Sequence, residues 1–255
     1  LRGLDVTARA ALLKAVSSHV TPLDDWLDRI NANGYATMCL GENHNAVLRR
    51  FMAERLFPKL TLDTLAIEDG RSQTQELLES ASDDDDYGDL LGADIIGVLR
   101  AVRGANPSAR IVGIEERAEQ YKERVNAGIG SRESSIEGNL RHAFRKGERH
   151  VILYGAFHCK DGVAWLHRRL LEDPPAAVEV SQVQNARIGW EHLSGSFEIL
   201  SQFFDELGLA TGDYAISSPS TLPKKLHDWF PIMSTNLLNK FDSVIVFRLP
   251  KLKAA

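Results

Sequence analysis

Gly41-Glu42-Asn43-His44-Asn45 ends an apolar run, Tyr35 to Leu40, and opens an amphipathic segment. Its skeleton returns as Gly155-Ala156-Phe157-His158 after a second run, His150 to Tyr154. Short apolar runs closed by glycine read as buried strands. If the two strands are parallel, Gly-x-x-His at the end of each brings two imidazoles to one edge of a sheet. In open parallel sheets that edge is where ligands bind, because the loops diverge there and the following helices aim their N-termini at it. Gly41 and Gly155 stand three residues before each histidine, where glycine admits a positive φ or a close backbone approach.

Working outward, residues 5–19 carry Leu12, Leu13 and Val16 at helical spacing, and a second helix runs from Pro22 to about Asn31. Segment 45–57 places Leu48, Phe51, Met52 and Leu56 on one face and ends at Pro58, which makes it a crossover helix between parallel strands. Thr64 to Ile67 reads as a short buried strand running into Glu68-Asp69-Gly70-Arg71, and Arg110 to Ile114 as another running into Glu115-Glu116-Arg117. Helices are expected over 89–103, 117–126, from Arg132 through Leu140, and over 160–171. Further strands are read at Ala177–Val183, Tyr214–Ile216 and Ser243–Phe247, with a helix near 194–207. The acidic stretch from Gln73 to Asp94, with Asp83 to Asp86 at its centre, lacks ordered ligand spacing and reads as a solvated loop. Residues 219–231, punctuated by three prolines, read as loop with a short helix.

This alternation specifies an α/β fold, a mostly parallel central sheet flanked by helices on both faces. The expected organisation is a single domain over 1–255, with N-terminal helices in 1–33 and a helical or loop insertion at about 185–240.

Four strand ends deliver ionisable groups to one edge: Glu42 with His44, then Glu68, then Glu115 and Glu116, then His158. A single glutamate after a strand is commonly a helix-start residue, and a single histidine a hydrogen-bonded structural one. Separate caps do not, however, pair two imidazoles with three acidic strand ends. Imidazole and carboxylate together suit a divalent Mn, Fe, Co or Zn ion, which lowers the pKa of bound water. Without metal, one histidine is a general base on water while a carboxylate orients it and a cation stabilises the oxyanion. Both chemistries remain open at this point. No Gly-x-Ser-x-Gly elbow is present to support Ser-His-Asp chemistry.

The 255 residues carry a net charge of -5 and are 44% hydrophobic and 25% charged, an ordinary globular composition. An acidic pI near 5.9 offers no field for nucleic acid or anionic membranes. No apolar stretch is long enough to span a bilayer and no signal peptide is visible, so a cytoplasmic location is expected. The chain opens on leucine, which suggests a domain of a larger protein, including one that is secreted. Cys39 and Cys159 are too few for a disulfide framework; lying beside the Gly-x-x-His motifs they leave a thiol ligand or a redox role open, and they read first as small buried apolar residues at strand ends.

In order and spacing these motifs resemble the TIKI, TraB, erythromycin-esterase and ChaN-type superfamily, which also includes a module of some bacterial toxins. The resemblance rests on Gly41-Glu42-Asn43-His44, Glu68, Glu115, Arg132-Glu133 with Ile136 and Asn139, and Gly155-Ala156-Phe157-His158. Phe241-Asp242-Ser243-Val244-Ile245 matches the closing strand; Ile136 stands where the family usually has methionine. The resemblance implies that Glu42, His44, Glu68, Glu115, Arg132 and His158 line a pocket. His44 would be base or metal ligand, Glu42 and Glu68 orienting or ligating groups, and Arg132 with His158 the oxyanion or substrate-anion contacts. A metal would take Glu42, His44, Glu68 and His158.

The expected activity is hydrolysis of an ester or amide in a small molecule or peptide. Two alternatives follow from the same resemblance. One is a non-catalytic haem or iron binder of ChaN type, for which Tyr121 and Tyr154 lie near the motifs. The other is a toxin or effector module.

Overall fold

The computed structural model describes residues 4–33, 36–42, 44, 46–71, 74, 76, 78, 93–159, 176–182, 204–209, 212–218, 221–223 and 241–247. The chain divides into two compact units, one of Leu1–Asp28 with Val178–Ala255 and one of Arg29–Ala177. It opens with α1 (Val6–Ser17), β1 (Val20–Pro22) and α2 (Leu23–Asn33). The Asp5 side chain caps α1 by accepting from the Ala8 amide at 2.9 Å.

The unit Arg29–Ala177 carries the Gly-x-x-His motifs. Its elements are β2 (Thr37–Glu42), α3 (Ala46–Phe51), β3 (Thr64–Ile67), α4 (Ala93–Ala105), β4 (Arg110–Gly113), α5 (Ala118–Ala127), α6 (Arg132–Ala143), β5 (His150–Gly155) and α7 (Ala156–Cys159). The four strands lie in the order β2-β5-β3-β4 and every pairing is parallel. Every residue of β2 and β3 is buried, as is all of β5 before Gly155. That is the pattern of a parallel sheet covered on both faces.

The strand after the first crossover is not its neighbour: β5 inserts between β2 and β3, bringing the two Gly-x-x-His strands side by side. Gly41 lies opposite Tyr154 and Glu42 opposite Gly155, so the motifs are offset by one residue. In α3, Leu48 and Phe51 are buried, and the helix continues as one π turn, Met52–Leu56, whose Met52 and Leu56 are buried too. These are the four apolar residues expected on one face. α4 packs on this segment, where a side chain at Gly97 would stand 3.5 Å from the Ala53 Cβ.

At the opposite edge of the sheet Arg110 donates to Thr64 Oγ1, Ala143 O and Glu148, at 2.8–2.9 Å. His150 there stacks on Phe144 and accepts from the Arg145 amide, and burial lowers its pKa. It is a structural histidine, away from the motif edge.

In the other unit, β1 pairs antiparallel with β7 (Tyr214–Ser217), which pairs antiparallel with β8 (Ser243–Phe247). β8 pairs in parallel with β6 (Ala176–Gln182). β1 was not foreseen, since three residues are too few to show an alternation. The helix expected over 160–171 and most of the acidic stretch lie outside the described residues, as does most of 219–231. Of the expected helix near 194–207, Phe204 to Glu206 are described and helical.

The cysteines require a correction. Cys39 of β2 and Cys159 of α7 form a disulfide, with Cα atoms 5.4 Å apart and a sequence separation of 120. They meet because α7 packs back on β2 as well as on β5. In the chain-entropy account a closed loop of that length stabilises by roughly 5 kcal/mol.

Gly70 closes the edge on which the site stands. A Cβ there would come within 2.7 Å of the Glu115 carbonyl oxygen and 2.9 Å of the Glu116 oxygen, both backbone atoms that cannot swing aside. Gly70→Ala is therefore expected to destabilise by about 1–3 kcal/mol, as overpacking does. Gly138→Ala, in α6 with nothing within 4 Å of the new methyl, should stabilise by roughly 0.5–1 kcal/mol. Urea denaturation of both variants checks this, and equal midpoints would contradict it.

Candidate functional site

Glu42 is the last residue of β2, and its carboxylate is 2% exposed. Arg49, one turn into α3, clamps it, with Nε donating to Oε2 at 2.9 Å and Nη2 to Oε1 at 2.8 Å. Burial works to raise the Glu42 pKa; the bonds from Arg49 and His44 outweigh it and hold the carboxyl below its ordinary range.

His44 sits in the left-handed region, φ 48°, a conformation costing on the order of 1–3 kcal/mol for a residue with a side chain. The turn sets its ring between two carboxylates, with Nδ1 3.3 Å from Glu42 Oε1 and Nε2 3.2 Å from Glu68 Oε2. Arg49 Nη2 is also 3.3 Å from Nδ1. Both groups are donors directed at the same Glu42 oxygen, so the arrangement is a shared acceptor. The bonds to Glu42 and then Glu68 raise the His44 pKa to about 9, against the effect of burial. At neutral pH the ring is an imidazolium.

Glu68, following β3, accepts from the Gly155 amide at 3.2 Å, and Arg132 Nη2 lies 3.3 Å from its Oε1. Burial opposes ionisation of Glu68, yet the His44 and Gly155 bonds leave its pKa lowered. Arg132 opens α6 and reaches back to Glu115 after β4, with Nε 2.7 Å from Oε1 and Nη2 bonded to Oε2. Tyr154 donates its hydroxyl to the same Glu115 Oε2. Burial and that bond raise the Tyr154 pKa, so it remains a phenol. Asn139, from α6, donates to the Ile114 and Glu115 carbonyls at 3.1 and 3.0 Å, fixing the loop that presents Glu115.

His158, in α7, lies edge-on to Tyr154 with ring centroids 4.8 Å apart. Desolvation lowers its pKa, with Arg132 adding to the effect and Glu68, Glu133 and Glu115 opposing it. His158 is neutral where His44 is charged. Both face Gly155. A Cβ on that residue would stand 3.1 Å from His44 Nε2, 3.6 Å from Glu68 Oε2 and 3.7 Å from His158 Cδ2.

The edge thus gathers Glu42, His44, Glu68, Glu115, Arg132 and His158. Glu116 turns aside to pair with Arg124, Nε to Oε1 at 2.7 Å, and with Ser135. Neither Gly41 nor Gly155 has a positive φ; both lie within strands, and His44 takes that conformation instead. Asn43 and Asn45 on either side were the available hint, because short polar residues mark left-handed turns. Close approach does hold at Gly155. Arg49 was missed as a site residue because it read as the polar face of a helix; Tyr154 was singled out only for the haem reading, and its bond to Glu115 was not foreseen.

The proposed metal set, Glu42, His44, Glu68 and His158, is not assembled as one. Among the described residues no group of three or more His, Cys, Asp or Glu is arranged to hold a metal ion. The cause is chemical: both oxygens of Glu42 are engaged by Arg49, and Glu68 and Glu115 share Arg132, so guanidiniums occupy the carboxylates a cation would need. The residues do not fit a divalent ion. Of the two tyrosines considered for haem, Tyr154 is buried and bonded to Glu115, while Tyr121 is exposed with Arg124 over its ring at 5.4 Å.

No protein-family profile matches the chain, and no curated protein matches it. Among solved structures it is similar to a Bacillus cereus protein, TM-score 0.54 at 10% identity, covering 94% of this chain and 97% of that one. That likeness supports the α/β fold. A haem-bound ChaN of Campylobacter jejuni gives a TM-score of 0.47 at 10% identity, covering 88% and 91%. A bacterial protein toxin gives 0.40 at 18% identity, covering 71% of this chain. The chain spans 40% of that toxin's length and 39% of a second. No helix among the described residues is long and apolar enough to cross a membrane.

Two titrations follow from the clamp. By NMR the His44 ring should titrate near pH 9 and His158 below the ordinary histidine value, and Glu68→Gln should lower the His44 midpoint. Because the folded pKa of His44 is raised, its contribution to stability is complete below about pH 6.5 and is lost as pH rises through about 9. His44→Gln should lack that alkaline loss in thermal melts. A His44 midpoint near 6.5 would contradict the assignment.

Proposed function

We propose that this chain hydrolyses an ester or amide bond by acid–base chemistry between two imidazoles in opposite charge states. The observation that carries the reading is the convergence on Gly155 of a carboxylate-bound, charged His44 and a neutral, half-buried His158. Environments that push two neighbouring titratable groups apart in pKa assign the acid and the base.

His158 accepts a proton from water as the water oxygen attacks the carbonyl carbon. Arg132 faces the developing oxyanion; its side chain is 42% exposed, and its Nη1 has no hydrogen-bond partner among the described residues. His44 protonates the departing alkoxide or amine as the tetrahedral intermediate collapses. Both histidines return to their resting states through solvent. Glu42 and Glu68 keep His44 charged and oriented, and Arg49 keeps Glu42 ionised. His44 is here the acid where the sequence-based expectation made it base or metal ligand, because a ring with a pKa near 9 is a poor base at neutral pH, and His158 is the base where it was expected to contact the oxyanion.

The test is a screen of purified protein against ester and peptide libraries, followed by kinetics on the best substrate. His158→Asn and His44→Gln should each lower kcat/KM by about 10²–10⁴-fold, the range typical of a general acid or base. Dialysis against a chelator should leave the rate unchanged. The pH profile should fall on the alkaline side near pH 9. Full activity in His158→Asn would sink the mechanism.

A further inference from the structure

The first turn of α6 carries two charged residues with different surroundings. Arg132 reaches out to Glu115 and Glu68. Glu133, the next residue, is 8% exposed and makes no hydrogen bond or ion pair with any described residue. It shares the buried stripe of α6 with Ile136 and Leu140, both wholly enclosed. That stripe calls for an apolar side chain at its first position, and a carboxyl taken out of water without a donor is costly. The helix dipole favours an acidic residue in a first turn, but an exposed glutamate gains as much and avoids the cost of burial. Local rules are broken in this way chiefly where a site requires it.

The glutamates that follow the strands are all held. Glu42 has Arg49, Glu68 has His44 and Arg132, Glu115 has Arg132 and Tyr154, and Glu116 has Arg124 and Ser135. Arg124, whose charge Glu133 also meets, is already bonded to both oxygens of Glu116. Glu133 is left as the carboxyl without a donor among these described residues. Its oxygens are nonetheless open to solvent, for the fully enclosed side-chain atoms without a partner among the described residues are Thr74 Oγ1 and Arg103 Nε. A buried stem with an open tip is a recess that can accept a donor from outside. The Glu133 charge acts on His158 more strongly than that of Glu115 does, which sets the recess beside the neutral imidazole.

We infer that Glu133 is the specificity-determining residue of this site and takes a cationic N–H group, an ammonium or a guanidinium, on the substrate whose ester or amide bond meets His158 and Arg132. The bond cleaved rests on the hydrolase reading; the cation recess does not. A guanidinium meets the two carboxylate oxygens with two parallel bonds, and an ammonium meets them as a point charge. Either supplies the donors that the carboxyl lacks in the free protein.

The experiment uses the full chain and four probes, the Nα-acetyl amides of arginine, citrulline, lysine and norleucine. Citrulline is the neutral counterpart of arginine, and norleucine that of lysine. Each is titrated by NMR while the His158 ring and the amides of Arg132 to Ser135 are followed. Arginine or lysine amide should give a saturable shift with an affinity about ten-fold or more above its neutral counterpart, and Glu133→Gln should abolish that difference. The variant should keep its amide dispersion and melt no lower than the parent, since it loses a buried charge that had no partner. No saturable shift, equal affinity for charged and neutral probes, an unchanged preference in Glu133→Gln, or a variant that does not fold would each overturn the inference; the last would make the carboxyl a support of the fold. A Glu133-dependent charge preference in a protein that cleaves no ester or amide would keep the recess and remove the hydrolase reading. Hydrolysis without any such preference would keep the hydrolase reading and remove the recess.

Discussion

Three carboxylates at the ends of three strands of one parallel sheet repel one another, and three cations are threaded among them. Glu42 has Arg49, Glu115 has Arg132, and Glu68 lies between Arg132 and His44. Arginine keeps its charge in any protein environment, so the balance leaves one place to be filled by a group that can gain a proton. His44 fills it. Its raised pKa is thus a consequence of how the strand ends are arranged, and the charge state of the site is set by the sheet as much as by the residue.

Much of that arrangement was legible in the sequence. Apolar runs ending in Gly-Glu-x-His, in Ile67-Glu68, in Ile114-Glu115 and in Gly-x-x-His were enough to identify four strands and to infer that their acidic and imidazole ends share an edge. Helix-period spacing of Leu48, Phe51, Met52 and Leu56 identified the first crossover because the same face is buried in the fold. Arg132 was placed with these strand ends by resemblance, and it contacts Glu68 and Glu115.

What was not legible depended on tertiary order. Nothing in periodicity says that β5 lies between β2 and β3, and it is this insertion that makes Gly155 the neighbour of Glu42. The disulfide joins residues 120 apart and depends on α7 folding over β2. Arg49 is a polar residue on an amphipathic helix like Arg50 beside it; that one clamps Glu42 while the other pairs with Glu54 at the surface follows from the helix's rotation about its axis. The metal expectation finds no support at the same level, since residue types alone do not reveal that guanidiniums already engage the carboxylates.

The register of β2 on β5 limits how such a chain can change length. A strand rises about 3.3 Å per residue and alternates its faces, so one inserted residue within β2, β3 or β5 would turn buried side chains over and shift a site group by more than a hydrogen-bond length. Chain can be gained more readily at the other edge, where Gly147 turns at φ 85° with no atom within 4 Å of where its side chain would be. Insertions near that turn would leave the motif edge untouched, while the strand lengths between the two edges act as a fixed ruler for the distance between Glu42, Glu68 and the glycine at which the two histidines meet.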